Sequence, residues 1–179
     1  MSYRSYKKYL DDYSIEEHID ENGRKKKVPV YIASYYLLTP ALTKNEKRMI
    51  LAASLLSWVS IIVPLCFKGS NYEMWYILIP YMFTVFPLYN VTAGAISLLV
   101  AGEKMERQKA DKIASRLPYP SLFSALLPLA SFIGITISAA INWGSMVEGD
   151  KLFLMLTPIA TISAAFIFMK CRKLSTYIL

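Results

Sequence analysis

Four long stretches without a charged residue constrain this chain more than any other feature. A bilayer core of roughly 30 Å requires about 20 consecutive apolar residues in helical form, because lipid offers no hydrogen bond to an unpaired backbone group. The four stretches contain no Asp, Glu, Lys, Arg or His, and they run from Met49 to Phe67, from about Trp75 to Ala101, from about Ser121 to Ile141 and from Leu152 to Met169. The sequence therefore predicts an all-α membrane protein, a bundle of four transmembrane helices over residues 49–169.

The overall composition supports this class. Of the 179 residues, 55% are apolar and 18% are charged, and the mean hydropathy of +0.35 is high for a water-soluble domain. These values exclude a disordered chain, and the two cysteines are too few for a disulfide-rich scaffold. Cys66 and Cys171 are expected at opposite ends of the bundle, so we expect no disulfide between them.

The basic residues are distributed unevenly between the connections, which predicts the orientation. Ten Lys or Arg lie in residues 1–48, five in 102–120 and three in the tail 170–179, whereas only Lys68 and Lys151 occupy the other connections. Basic residues are retained on the cytoplasmic side, so we expect an integral protein of the plasma membrane with both termini in the cytoplasm. The same asymmetry explains the net charge of +7 without nucleic acid, which we do not expect as a partner.

The leader, residues 1–48, is expected to contain a β-hairpin at about 13–32. Asn22-Gly23 is flanked by alternating runs and is typical of a two-residue type I′ turn, which would pair Ile15 with Val30. In that register one face is apolar, and it comprises Tyr13, Ile15, Ile19, Val30 and Ile32. Because an isolated hairpin is only marginally stable, this face should cover either its own bundle or a protein partner.

Two further segments flank the spans. The apolar residues that follow the hairpin are too few to cross a membrane and are interpreted as an interfacial segment, which leads to Thr43 as a helix N-cap with Glu46 in a capping box. The second transmembrane helix is expected to continue into the middle loop as far as Leu117. Arg107 and Lys112 in that loop could dock a cytoplasmic partner, or the loop could be a solvated turn.

The second span contains the residues that best fit a transport function. Pro80 and Pro87 lie seven residues apart, on nearly the same side of the helix, with Thr84 and Asn90 close to that side. A proline frees a backbone carbonyl in the preceding turn, and free carbonyls in membrane helices can coordinate an ion or a substrate. Ordinary proline kinks are the alternative interpretation.

Signals for catalysis are weak. The sequence contains no phosphate-binding loop, metal-ligand cluster or nucleophile motif, so we expect no catalytic residue, cofactor or metal. Glu148 and Asp150 are a pair of nearby carboxylates, which alone are poor evidence for an interfacial enzyme. Small residues four apart recur in every span, which favours close packing within the bundle or, alternatively, a homo-oligomeric contact.

Together these patterns favour a non-catalytic multi-pass membrane protein. Its expected role is a subunit or adaptor of a larger complex, which docks another membrane subunit or a cytoplasmic protein through the leader and the middle loop. The alternative is a small-solute transporter or channel protomer that uses Pro80, Thr84, Pro87 and Asn90.

Overall fold

A computed structural model of the chain describes residues 9–19, 25–69, 74–102, 104–142, 144 and 146–178. The elements in chain order are β1 Tyr13–Ile19, β2 Lys25–Tyr31, β3 Tyr36–Thr39, α1 Lys44–Leu65, α2 Trp75–Phe83, α3 Val85–Val100, β4 Lys104–Met105, α4 Arg107–Arg116, α5 Pro118–Asn142, α6 Glu148–Cys171 and β5 Ser175–Ile178. A short 3₁₀ turn, Leu10–Asp12, precedes β1.

The predicted four apolar helices are confirmed. Within the described residues, four helical segments are long and apolar enough to cross a membrane: α1, α2 with α3, α4 with α5, and α6. Helix α1 begins with the predicted capping box, in which the Thr43 hydroxyl accepts a hydrogen bond from the Glu46 N–H at 3.2 Å. The Glu46 carboxylate accepts one in return from the Thr43 N–H at 3.0 Å. These two bonds satisfy backbone donors that a helix start leaves unpaired.

The second apolar segment is interrupted at Thr84, between Pro80 and Pro87. Pro87 has no N–H to donate to the carbonyl four residues earlier, so the helical ladder cannot pass through this point unbroken. At the interruption, the Pro80 carbonyl accepts hydrogen bonds from both the Thr84 N–H, at 3.2 Å, and the Thr84 hydroxyl, at 3.0 Å. The second apolar segment therefore consists of two consecutive helices, α2 and α3.

The helices pack as a bundle in which α6 contacts both α1 and α5, and α3 contacts α1 and α5. Small residues allow the close approaches, as the sequence predicted. At Gly134 on α5, a Cβ atom would lie only 2.9 Å from Cγ1 of Ile77 on α2. Buried Ser54, Ser57 and Ser60 lie along α1. Small side chains let helices approach closely where apolar burial alone gives no specificity.

One end of the bundle carries most of the charged groups, and we call it the basic end. It contains the start of α1, the end of α3, helix α4 and the end of α6. An ion pair between Lys170 Nζ and Glu46 Oε1, 2.9 Å apart, joins α6 to α1 there. Lys47 Nζ donates to the Ala101 carbonyl at 2.8 Å, which satisfies an acceptor at the end of α3.

The prediction that the second helix continues to Leu117 is wrong. Helix α3 ends at Val100, and the charged segment forms the separate helix α4, which packs beside α3. The reason is an apolar stripe on α4, where Ala110, Ile113 and Leu117 are fully buried. Spacings of three and four residues place these side chains on one helix face, which gains more by covering α3 than by extending into solvent.

Strand β3 lies at the centre of a three-stranded antiparallel sheet, between β4 and β5. It pairs Tyr36 with Met105 and with Ile178. The segment interpreted as interfacial thus contains a strand, and so does the C-terminal tail. Together with α4, this sheet covers the basic end, where it packs on a core that includes Ile50, Ile167 and Leu174.

The predicted hairpin is present, but its register differs from the prediction. β1 and β2 pair antiparallel with Tyr13 opposite Tyr31 and Ile15 opposite Pro29. Five residues, 20–24, separate the innermost pair, Ile19 and Lys25, and this odd number does not fit a two-residue turn. The Asn22-Gly23 turn itself lies outside the described residues.

The one-residue difference splits the predicted apolar face. Residues opposite each other share a face of a sheet, so Tyr13, Ile15 and Ile19 lie at positions on the face of Tyr31, whereas Val30 and Ile32 lie at positions on the other. The cause is tertiary, because Tyr13 and Tyr31 both bind the start of α4 and must therefore share a face. Pro29 fits this register. The Ile32 N–H donates to the Asp12 carbonyl, so these two residues form a hydrogen-bonded pair of the ladder. Hydrogen-bonded and non-hydrogen-bonded pairs alternate along an antiparallel ladder, which makes Ile15 and Pro29 a non-hydrogen-bonded pair, where the missing N–H of proline costs no bond.

Candidate functional site

The base of the hairpin is fastened to the start of helix α4 by side chains. The Tyr13 hydroxyl donates to Glu106 Oε2 at 3.1 Å, and the Tyr9 hydroxyl donates to Asp111 Oδ2 at 2.9 Å. The leader therefore packs, at its base, on its own chain. We call this contact region the hairpin anchor.

The Tyr31 hydroxyl completes the hairpin anchor by capping α4. It accepts a hydrogen bond from the backbone N–H of Arg107 at 3.1 Å and donates to the Ser34 carbonyl at 2.9 Å. The first N–H groups of a helix have no partner within the helix, so this bond satisfies a donor that α4 would otherwise expose to water. The Tyr31 ring also meets the Tyr13 ring edge-on, with the centroids 5.3 Å apart.

The environment of Tyr13 disfavours its ionisation. Partial burial, followed by the hydrogen bond to the Glu106 carboxylate, raises the pKa of Tyr13 to about 12. A phenolate at this position would lose the hydrogen bond and would place two negative charges side by side. The contact therefore holds across the whole physiological pH range.

Arg107, which the sequence analysis assigned to partner docking, is engaged within the chain. Its Nη1 lies 3.6 Å from Asp12 Oδ1, and the Asp12 side chain is only 10% exposed. Lys112, the other docking candidate of the middle loop, is half-buried on α4 and joins no ion pair with a described residue. The two candidates thus differ, because Arg107 is paired with Asp12 whereas Lys112 is paired with none of the described carboxylates.

The hairpin exposes an apolar side chain on each face. Ile15, beyond the base, is 71% exposed, and Ile32, at the base on the opposite face, is 61% exposed. Tyr13 and Val30 are half-buried, whereas the side chain of Ile19 lies outside the described part of the structure. The hairpin therefore presents a large apolar side chain on each face while its base is held.

The polar groups of the proposed transport path bind their own helix. Thr84 is fully buried and donates to the Pro80 carbonyl, and the Asn90 side-chain amide donates to the Phe86 carbonyl at 3.1 Å. Pro80 and Pro87 are half-buried. Side-chain donors to the preceding turn are usual at proline bends.

An apolar groove of about 440 Å³ lies beside Pro87 and Asn90. It runs between the second apolar segment and the start of the third, and Phe86, Tyr119, Pro120 and Phe123 contribute to its walls. Phe86 is 67% exposed and Tyr119 73% exposed, so the groove opens on the outer surface of the bundle rather than into its interior. Pro80 and Thr84 do not line it.

The carboxylates considered for catalysis occupy the start of α6. Asp150 is 1% exposed and accepts a hydrogen bond from the Val147 N–H at 3.4 Å, whereas Glu148 is exposed. Negative charge in the first turn stabilises a helix through its dipole, which accounts for Asp150 structurally. Among the residues that the structure describes, no three His, Cys, Asp or Glu side chains are grouped so that they could hold a metal ion.

Sequence reasoning missed the hairpin anchor and the three-stranded sheet. No local sequence pattern marks Tyr9, Asp12 or Glu106 as part of the anchor, because their partners are far away in the chain. The apolar stripe of α4 was visible in the sequence as apolar residues at 110, 113 and 117, and it could have indicated that this helix folds back.

Comparison of the chain with protein-family profiles, with curated protein sequences and with solved structures finds no match.

Proposed function

We propose that this chain is a non-catalytic integral membrane protein that acts as an adaptor, holding a protein partner through its hairpin. The observation that carries the proposal is the contrast within the hairpin, where four side chains fasten the base and Ile15 beyond it is 71% exposed. A two-stranded sheet has no interior that could bury Ile15, so this side chain is available to a partner.

The hairpin anchor gives the partner a fixed platform. A loose hairpin would lose conformational entropy on binding, and a hairpin fixed at its base has already lost much of it. The open edges of β1 and β2 also offer backbone hydrogen bonds to a strand of a partner. These features favour the hairpin over the middle loop as the docking surface, because Arg107 is engaged by Asp12.

The proposed setting is the plasma membrane, with four crossings and both termini in the cytoplasm. The four apolar helices support the crossings, and the eighteen basic residues of the leader, middle loop and tail against two in the other connections support the orientation. The hairpin, the three-stranded sheet and α4 would then form one cytoplasmic layer on the basic end.

Purification from the native membrane in mild detergent tests the proposed function. We expect a stoichiometric protein partner that is lost when Ile15 is replaced by Ser, since this removes the exposed apolar contact without touching the hairpin anchor. Ile32→Ser is the matched control, because Ile32 is similarly exposed on the opposite face. If the partner is lost with Ile32→Ser but not with Ile15→Ser, the partner binds the opposite face of the hairpin. A chain that purifies alone, or a partner retained in both variants, contradicts the proposal.

A further inference from the structure

The apolar groove changes in chemical character along its length. At one end its walls are aromatic, from Phe86 and Phe123, and further along Asn90 and Ser115 contribute polar atoms. Its volume of about 440 Å³ falls within the range of roughly 300–1,000 Å³ typical of ligand sites.

The backbone of a cationic residue, Arg116, lies close to the polar end of the groove. Gly94 follows Asn90 by one helical turn on the same face of α3, and a Cβ at Gly94 would lie 3.2 Å from the Cβ of Arg116. Arg116 therefore lies about one turn beyond the groove-lining part of α3, toward the basic end. Lys112 precedes Arg116 by four residues and shares its face of α4.

Arg116 and Lys112 are not paired with any described carboxylate, unlike three other cations near the basic end. Arg107 is paired with Asp12, Lys109 with Glu106 and Lys170 with Glu46. Neither Arg116 nor Lys112 joins an ion pair in the part of the chain that the structure describes, and both side chains are partly accessible. The polar end of the groove is thus one helical turn from Arg116, and Lys112 shares the face of Arg116 on α4.

We propose that the groove binds one anionic phospholipid, with an acyl chain against Phe86 and Phe123 and the phosphate beside Arg116 and Lys112. Arginine suits this role because its planar guanidinium donates two parallel hydrogen bonds to a phosphate. Basic pockets between membrane helices select anionic headgroups, whereas a zwitterionic headgroup brings its own cation close to Arg116. The inference rests on the proposed membrane location, but it is independent of the hairpin and its partner.

Lipid titration of the delipidated full chain in detergent, followed by native mass spectrometry, tests the site. Phosphatidylglycerol and phosphatidylcholine with identical acyl chains are the probes. We expect one phosphatidylglycerol to bind at least tenfold more tightly than phosphatidylcholine. Arg116→Gln should lower the affinity for phosphatidylglycerol about tenfold, which is the effect of losing one charge-assisted contact. Arg116→Lys should restore part of the affinity, because the charge returns without the bidentate geometry.

Arg48→Gln is the matched control, because Arg48 is an exposed arginine at the basic end, on a helix that does not line the groove. Phe123→Ala should lower the affinity for both lipids several-fold. Leu126→Ala, which removes an exposed side chain from the same helix but outside the groove, should leave both affinities unchanged. Inorganic phosphate should not displace the bound lipid, because it has no acyl chain.

Equal affinity for the two lipids, equal effects of Arg116→Gln and Arg48→Gln, or displacement by inorganic phosphate would overturn the proposal. If Arg116→Gln does not fold, Lys112→Gln and the two-lipid comparison on the unaltered chain still decide it. A wrong membrane location would give a distinct result, because the chain would then remain dispersed in water without detergent.

Discussion

Arg107 of helix α4 and Asp12 of the leader form an ion pair, with Nη1 and Oδ1 3.6 Å apart. The two residues are 95 positions apart in the chain, and their pairing fixes the position of the hairpin relative to the helical bundle. The Asp12 side chain is mostly buried and its Oδ2 atom accepts no hydrogen bond from a described residue, so the ion pair with Arg107 is its main described polar contact.

Replacing Arg107 by Gln should loosen the hairpin. The variant leaves the Asp12 carboxylate without its cation, although Arg107 is 39% exposed and solvent screens part of the interaction. We expect the free energy that holds the hairpin on α4 to fall by about 0.5–1 kcal/mol, which corresponds to a roughly twofold to fivefold increase in the population with the hairpin detached. Trypsin cleavage at Lys25–Lys27, followed in detergent, measures that increase. Lys104→Gln, which removes an exposed charge from β4, should leave the cleavage rate unchanged, and equal rates in both variants and the parent chain would contradict the role of the ion pair.

Tyr13 predicts how the hairpin anchor responds to pH. Its pKa of about 12 in the fold exceeds the ordinary value of 10.0, so the folded state holds the proton more tightly than the unfolded state. The stabilisation is complete below pH 10 and decreases as the pH rises toward 12. The difference in phenolate absorbance between the parent chain and Tyr13→Phe should titrate near pH 12. A difference spectrum that titrates near pH 10 would show that Tyr13 is not bound to Glu106.

The four helices could be predicted because hydropathy is a local property, whereas the hairpin register could not. The Asn22-Gly23 pair favours a two-residue turn, but Tyr13 and Tyr31 both bind the start of α4, and this fixes the pairing instead. The contacts with Glu106 and Arg107 span more than 70 residues of sequence, so no local pattern reveals them. Strand β4 has two residues, too few for any period to be recognised.

Only one wall of the groove could be anticipated from the sequence. Pro87 and Asn90 were chosen from their spacing along one helix, and both do line a groove. The other wall, with Tyr119 and Phe123, depends on how α5 packs against α3, and helix packing is not specified by hydropathy. The position of Arg116 beside Gly94 follows from the same packing.

Gly149 at the start of α6 should not tolerate alanine. An added Cβ would overlap the backbone carbonyl of Lys68, which cannot move aside as a side chain would. Helix propensity alone predicts that Gly149→Ala raises the free energy of unfolding by about 1 kcal/mol. The steric overlap should reverse the sign of this change. We expect a destabilisation of about 1–3 kcal/mol, measured by thermal unfolding in detergent.

Gly144→Ala is the control for that measurement, because a Cβ there meets no atom within 4 Å. It should change the midpoint of unfolding very little. A Gly149→Ala variant as stable as the parent chain would mean that the loop at Lys68 does not approach α6 as described.

Tyr81 should stabilise the bundle through its hydroxyl group. It is fully buried and donates to the Ile61 carbonyl at 2.7 Å, which joins α2 to α1. Tyr81→Phe keeps the ring contact with Phe153 but removes this bond, and we expect a loss of about 1 kcal/mol. The midpoint of thermal unfolding should fall by about 2–4 °C. Tyr89→Phe alters a 65% exposed ring and should have no effect; equal midpoints for the two variants would argue against the bond.

The membrane topology is the central claim, and Cys66 tests it most directly. Cys66 is exposed at the end of α1 far from the basic end, whereas Cys171 is buried at the basic end. In a Cys171→Ser background, Cys66 should react with a membrane-impermeant maleimide on sealed right-side-out vesicles. A cysteine introduced at Ser14 in the Cys66→Ser, Cys171→Ser background should react only on inverted vesicles. Labelling of Ser14→Cys from the outside, or of Cys66 only from the inside, would contradict four crossings with the basic end in the cytoplasm.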